Sequence, residues 1–289
     1  MGKRNAIILN AIAILLFLVY MVPFALVIIN AAKPTLQIIL DPLTLPENFT
    51  QLFKNIQEVY QSPNVRYPSS FVTSVIVTFC SVGLLVLICP MAAWVLVRTN
   101  TKLSRWVFMI FVAAIVIPFQ VVMFPLLSWF NIIDSSLGLV GTPFRLLRNY
   151  TGIILAYLGF GSSLSIFLYH GFIKAVPVEL EEAAIIDGCT KAGVFFRIVF
   201  PILKPITVTV IILNGIWIWN DYLLPVMVLG AGNAVQTLPL AVASYVGSFL
   251  KRWDMILTAT LMTMMPAIIV FLFLQKHIMK GMVEGSVKG

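Results

Sequence analysis

FVTSVIVTFCSVGLLVLICPMAAWVLV, residues 71–97, carries no charged side chain from end to end. A helix of roughly 20 apolar residues crosses the ~30 Å hydrocarbon core of a bilayer, so this run is long enough to span it. Runs of the same kind lie near 6–30, 106–129, 151–173, 205–229 and 255–275, which makes six spans. Barrel strands are about ten residues long and alternate in polarity, whereas these runs are continuous. The expected fold is therefore an all-α integral membrane protein with six transmembrane helices, a single transmembrane domain over residues 1–289. Composition agrees. The chain is 60% hydrophobic and 10% charged, with a mean hydropathy of +1.01, too apolar for a domain whose whole surface is hydrated.

The first run follows Lys3 and Arg4 as a signal peptide would, but it continues from Ala6 past Ile29. A signal core has about 7–15 apolar residues, so an uncleaved anchor helix is expected. The net charge of +8 is unevenly placed. Lys3, Arg4, Arg98, Lys102, Arg105, Lys174, Lys191, Arg197, Lys204, Lys276, Lys280 and Lys288, 12 of the 19 basic residues, flank the spans on one side. The other side holds Lys33, Lys54, Arg66, Arg145, Arg148, Lys251 and Arg252. The positive-inside rule assigns the first side, with both termini, to the cytoplasm. The basic excess thus reports topology and calls for no nucleic-acid partner. Cys80, Cys89 and Cys189 are not placed to form a disulfide, and no metal-ligand spacing is present. His170 and His277 stand alone near helix ends, and no nucleophile and base converge, so no catalytic residue is assigned.

The longest basic-side loop, residues 174–204, has its own helical grammar. Glu179, Glu181 and Glu182 follow Pro177, placing carboxylates where they complement the positive end of a helix dipole. Ala183 and Ala184 permit close backbone approach, Ile185 and Ile186 supply apolar anchorage, and Gly188 ends the helix. Thr190 is suited to cap a second helix running through Phe195 and Ile198 to a break at Pro201 and Pro205. A helix, a sharp turn and a second helix are expected. The spacing Glu182-Ala183-Ala184, Gly188, Ile198, Pro201 resembles the EAA loop of permease subunits of ATP-binding-cassette importers. That resemblance implies that Glu182, Ala183, Ala184, Gly188, Ile198 and Pro201 dock onto a separate ATPase. No Gly-x-x-x-x-Gly-Lys-Ser/Thr run exists to cradle phosphate. ATP and Mg would be bound by the partner ATPase, with no cofactor on this chain.

The resemblance extends over nearly the whole chain, most strongly from Phe71 onward. Trp219-Asn220-Asp221-Tyr222-Leu223, Thr237-Leu238-Pro239, Trp253, Pro266 and the tail Gly281, Gly285, Val287-Lys288-Gly289 are similar to the smaller, six-helix partner of maltose-type carbohydrate importers. It implies the type I importer permease fold and a sugar or related polyol moved inward by alternating access. The implied partners are a second permease, an ATPase dimer, an extracytoplasmic solute-binding protein and the lipid bilayer of a bacterial or archaeal inner membrane. The tail is expected to be flexible and to contact the ATPase dimer, or else to be a disordered end. About a dozen residues near Leu139 to Tyr150 depart from the family as an insertion.

Asp221 is costly in hydrocarbon, roughly 2.5–3.5 kcal/mol on insertion scales. With Trp217, Trp219 and Asn220 it forms either a polar, aromatic lining of the solute path or the interfacial rim of a helix. An importer for a non-sugar solute shares the docking loop. A secondary carrier or channel would need ion-coupling carboxylates within spans, and no internal repeat suggests one.

Overall fold

The computed structural model describes residues 3–246 and 251–286, with side chains described at Asn5 and across 7–246 and 251–273. Among the described residues every regular element is helical. α1 (Lys3–Ala31), α2 (Thr35–Leu40), α3 (Thr50–Gln61) and α4 (Tyr67–Thr99) come first. α5 (Lys102–Val116), α6 (Phe119–Ser136) and α7 (Tyr150–Ile173) follow. α8 (Glu179–Ile186) and α9 (Lys191–Val194) lead through a π-helical turn (Phe195–Val199) and a short α10 (Phe200–Ile202) into α11 (Lys204–Asn220). Then come α12 (Leu223–Val228), α13 (Leu238–Val246) and α14 (Trp253–Ser286). The tail glycines Gly281 and Gly285 belong to α14, so the tail is helical to Ser286; Val287, Lys288 and Gly289 lie outside the described residues.

Among the described residues, four helical stretches are individually long and apolar enough to cross a membrane: Ile7–Ala31, Tyr67–Thr99, Tyr150–Ile173 and Trp253–Phe273. Two bent pairs bring the number to six when each pair counts as one span. The span expected near 106–129 falls on α5 and α6, which are bent by 110° at Pro118. Pro118 has no N–H to donate and pushes the residue before it out of the helical region, and Ile117 is extended at ψ 117°. The run 205–229 is likewise divided, because Asp221 leaves the helix at ψ 132° between α11 and α12. Residues 52–60 lie within α3, and Pro239 stands in the first turn of α13.

The chain forms two compact units. One comprises Met1–Ser70 with Leu238–Pro266. Its apolar centre is Val59, Val65, Ala241, Met255 and Ala259, packed against Tyr67, Val242, Tyr245 and Met262. Polar side chains tie its elements together: Asn55 Nδ2 and Thr258 Oγ1 both donate to the Ala31 carbonyl, at 2.9 and 3.2 Å. Thr35 Oγ1 donates to Asp254 Oδ1 at 2.6 Å, and Arg252 pairs with both Glu58 and Asp254. Lys33 is fully buried, yet its ammonium donates to Asn30 Oδ1 and the Asp41 carbonyl, at 3.1 and 2.9 Å. A buried charge is tolerated only when solvated in this way by the chain itself.

The second unit comprises Phe71–Thr237 with Ala267–Gly289. Its α7–α11 seam is held by three polar pairs. Tyr157 OH donates to Asp221 Oδ2 at 3.0 Å, Asn214 Nδ2 to Ser165 Oγ at 3.1 Å, and Tyr169 OH to Thr207 Oγ1 at 3.1 Å. Residue numbers rise on one helix as they fall on the other, so the pair is antiparallel. Interhelical hydrogen bonds in membrane proteins average about 0.6 kcal/mol each, so the three contribute about 2 kcal/mol. Gly161 allows the approach, since a Cβ there would stand 2.7 Å from Leu85 Cδ1 and 2.8 Å from Asn214 Oδ1.

The apparent insertion is an ordered loop folded around Asp134, which is 1% exposed. Its carboxylate accepts from Leu146 N at 2.7 Å and Leu147 N at 3.0 Å, with Arg145 Nε 3.8 Å away. Asn149 Nδ2 donates to the Pro143 carbonyl at 2.7 Å, and Arg148 N to the Val228 carbonyl at 2.8 Å. The Leu146 carbonyl presses onto α7 at Gly152, where an added Cβ would lie 1.8 Å from it.

Candidate functional site

The loop after α7 folds as two helical arms joined by a tight turn. α8 carries Glu179, Glu181 and Glu182 in its first turn, as the dipole favours. It ends in a Schellman motif: Gly188 N donates to the Ile185 carbonyl at 3.0 Å and Cys189 N to the Ala184 carbonyl at 2.9 Å. Gly188 has φ +85°, a left-handed conformation that a Cβ disfavours. Thr190 then caps α9, its Oγ1 accepting from Gly193 N at 3.2 Å.

The returning arm departs from a simple helix. Phe200 N donates to the Phe195 carbonyl, five residues back, which defines the π-helical turn. Pro201 offers no N–H to the Arg197 carbonyl, so the hydrogen-bond ladder is interrupted where the register changes. Leu203 separates this arm from α11, and the two are bent by 74° between Pro201 and Pro205.

Exposure divides the six expected docking residues. Glu182, Ala183, Gly188 and Pro201 are exposed, Ile198 is half-buried and Ala184 is buried. The small side chain of Ala184 is packed within the chain. Glu182 has no ion-pair partner among the described residues. Beside it Leu180, Ile185 and Ile186 are exposed, the last at 85%. An apolar patch rimmed by Glu179, Glu182 and Asp187 is the composition of an interaction surface.

Glu181, the neighbour that sequence reasoning left unassigned, behaves oppositely. Its carboxylate is buried, receiving Trp94 Nε1 at 2.9 Å on Oε2 and Arg98 Nε at 2.9 Å on Oε1, with Arg98 Nη2 2.7 Å away. Arg98 Nη2 also donates to the Val176 carbonyl at 3.0 Å. Removing one partner of a buried ion pair costs about 3–5 kcal/mol. The lower end applies here because the Arg98 side chain keeps 22% of its exposure. Nothing in the spacing of three nearby glutamates distinguishes the inward one.

The second candidate group is only partly assembled. Trp217 stands edge-on to Tyr157 at 5.4 Å, and Tyr157 donates to Asp221, so these residues converge on one tyrosine. Asp221 Oδ1 also accepts from Leu223 N, two residues on, at 3.0 Å, just ahead of α12. Trp219 lies apart, against Phe71 at 5.9 Å, and exposed Asn220 returns its amide to the Ile216 carbonyl at 2.8 Å. Trp217 and Asp221 thus meet at Tyr157, whereas the contacts of Trp219 and Asn220 lie elsewhere.

The sequence profile of the family described as "Binding-protein-dependent transport system inner membrane component" matches residues 85–284. The chain is 32% identical over 281 residues to the probable starch degradation products transport system permease protein AmyC of Thermoanaerobacterium thermosulfurigenes, covering 97% of this chain and 96% of that one. It is 37% identical over 238 residues to the melibiose/raffinose/stachyose import permease protein MelC of Bacillus subtilis, covering 82% and 81%. A chain of a bacterial ABC transporter involved in the import of the acidic polysaccharide alginate superposes with a TM-score of 0.70 at 18% identity, covering 96% of this chain and 98% of that one. At that identity the likeness speaks for the fold: a multi-pass, all-helical type I importer permease.

Proposed function

Because the chain belongs to the family of binding-protein-dependent transport system inner membrane components, we propose that it is the permease subunit of an ATP-driven importer that moves an oligosaccharide or related polyol into the cytoplasm by alternating access. The observation that carries the sugar reading is the near full-length match to AmyC, a relative named for starch degradation products. MelC, named for melibiose, raffinose and stachyose, supports the same reading. ATP hydrolysis belongs to a separate ATPase dimer, which binds ATP and Mg. A second permease completes the pathway, and an extracytoplasmic binding protein delivers solute. Both termini and the loop 174–204 face the cytoplasm, as the basic residues of their flanks favour.

In this reading the exposed face of α8 meets the ATPase. Glu182 supplies a charge-assisted contact to a basic residue, and Leu180, Ile185 and Ile186 supply apolar area. The Gly188 turn presents that face, with Pro201 and Ile198 beside it on the returning arm. Trp217 and Asp221 flank the solute path where α11 gives way to α12, and Asp221 serves at the same time as the outermost rung of the α7–α11 seam. The alternatives of a channel or secondary carrier offer no role for a solvent-exposed α8 with an unpaired carboxylate.

The test is a proteoliposome assay of the complete complex across a sugar panel. One sugar or a related set should stimulate ATP hydrolysis through the binding protein and accumulate inside. Absence of both effects for every sugar, together with stimulation by another solute class, would refute the sugar assignment.

A further inference from the structure

The last turn of α4 grips the loop 174–204 at three separated points. Trp94 and Arg98 are one helical turn apart and share a face. Arg98 holds the Val176 carbonyl ahead of α8 and the Glu181 carboxylate within it, at 3.0 and 2.7 Å. Trp94 donates to the other oxygen of the same carboxylate and lays its ring against Phe195 of the π-helical turn, with centroids 5.4 Å apart. Both helical arms are thus fastened to one spanning helix. Glu181 and Phe195 are 5% and 2% exposed, so these contacts are internal and distinct from the open face bearing Glu182 and Ile186.

We propose that Trp94 and Arg98 form the joint through which displacement of α8 is passed to the spanning helix α4, with Glu181 as the positioning residue on the moving side. The inference rests on the proposed docking of α8 to an ATPase and deepens it by separating two tasks. Glu182 and its apolar neighbours receive the motor, and Glu181 delivers the motion inward. The geometry suits transmission. A two-donor clasp on a single carboxylate resists both sliding and rotation of α8, and the Phe195 contact prevents the arms from moving independently of α4. A π-helical turn gives the returning arm a locally altered ladder beside this clasp, where such turns often accompany functional sites.

The experiment uses the full complex in proteoliposomes and reads three quantities: ATPase retained on the permease, ATP hydrolysed, and solute moved per ATP. Glu181→Gln keeps the size of the side chain and removes its charge. Trp94→Phe keeps the packing on Phe195 and removes the indole donor. ATPase retention should stay within about twofold of the unaltered complex, while solute moved per ATP falls by about tenfold or more, in the range of a coupling free energy between sites. The exchange Glu181→Arg with Arg98→Glu restores the ion pair but neither the Trp94 nor the Val176 bond, so it should recover only a minor part of the loss. If Glu181→Gln does not accumulate in the membrane, Trp94→Phe and Arg98→Lys, which preserve charge balance, decide the matter. Unchanged solute per ATP in these variants overturns the joint. So does a loss that matches an equal loss of retained ATPase, because the cluster would then only shape the docking face. Failure of the underlying reading looks different: the unaltered complex itself would neither retain an ATPase nor transport.

Discussion

Gly188 offers a quantitative test of the coupling turn, because its surroundings isolate a single physical effect. Apart from its two chain neighbours, no atom of the described residues lies within 4 Å of where its Cβ would be, so a substitution there meets no packing neighbour within the chain. What changes is the torsional preference at φ +85°. A residue with a Cβ in the left-handed region loses about 1–2 kcal/mol, which shifts the turn population by about 5- to 30-fold. The strain is relieved by giving up the two bonds that close α8, from Gly188 N to the Ile185 carbonyl and from Cys189 N to the Ala184 carbonyl. The series Gly188→Asn, Gly188→Ala, Gly188→Val should therefore be graded. Asparagine tolerates this region and should retain most uptake, alanine should lose uptake by a factor in the stated range, and the β-branched valine should lose more. Uptake and ATPase retention are measured on equal amounts of inserted complex. Wild-type behaviour of Gly188→Val would refute the turn's role. Asparagine as damaging as valine would show that bulk, rather than torsion, is at issue.

Further outcomes follow from other contacts. Gly152→Ala places a methyl 1.8 Å from the Leu146 carbonyl, so the loop around Asp134 must shift; overpacking of this kind costs about 1–3 kcal/mol, and limited proteolysis within 139–148 should accelerate, whereas an unchanged cleavage rate would contradict the packing. Tyr157→Phe removes one seam bond, so complex stability should fall by about 0.6 kcal/mol with solute concentration dependence unchanged. Asp221→Asn should alter that concentration dependence while the complex stays assembled; if the two variants behave alike, Asp221 is a seam residue rather than part of the path. Single cysteines placed at Lys191 and at Lys288 should be labelled only from the cytoplasmic side, and labelling of either from outside would reverse the proposed topology.

What was legible in the sequence follows the range of the interactions involved. The spans, the Gly188 turn and the Thr190 cap depend on hydropathy or on residues three or four apart, so local reading reaches them. Pro118 was visible as a break in principle, but a bend of 110° depends on the extended Ile117 and on what each half packs against. The inward choice of Glu181 over Glu182 depends on where α4 ends, 83 residues earlier along the chain at Arg98. The role of Asp134 leaves no sign in the sequence because its hydrogen-bond partners are backbone amides. The spacing of Tyr157, Ser165 and Tyr169, all on one face of α7, was the available sign of the polar seam, and it becomes meaningful only once α11 is known to lie alongside.

The central claim, that this permease is driven through the open face of α8, is tested most directly by Glu182→Lys in the complete complex. Truncating one partner of an interfacial charge pair costs about 2–5 kcal/mol, and reversing the charge adds repulsion. The variant should insert normally, lose ATPase copurification or its stimulation, and abolish sugar uptake, while Lys191→Gln at an exposed position nearby should be nearly silent. Glu182→Lys with full ATPase retention and normal uptake would contradict the account.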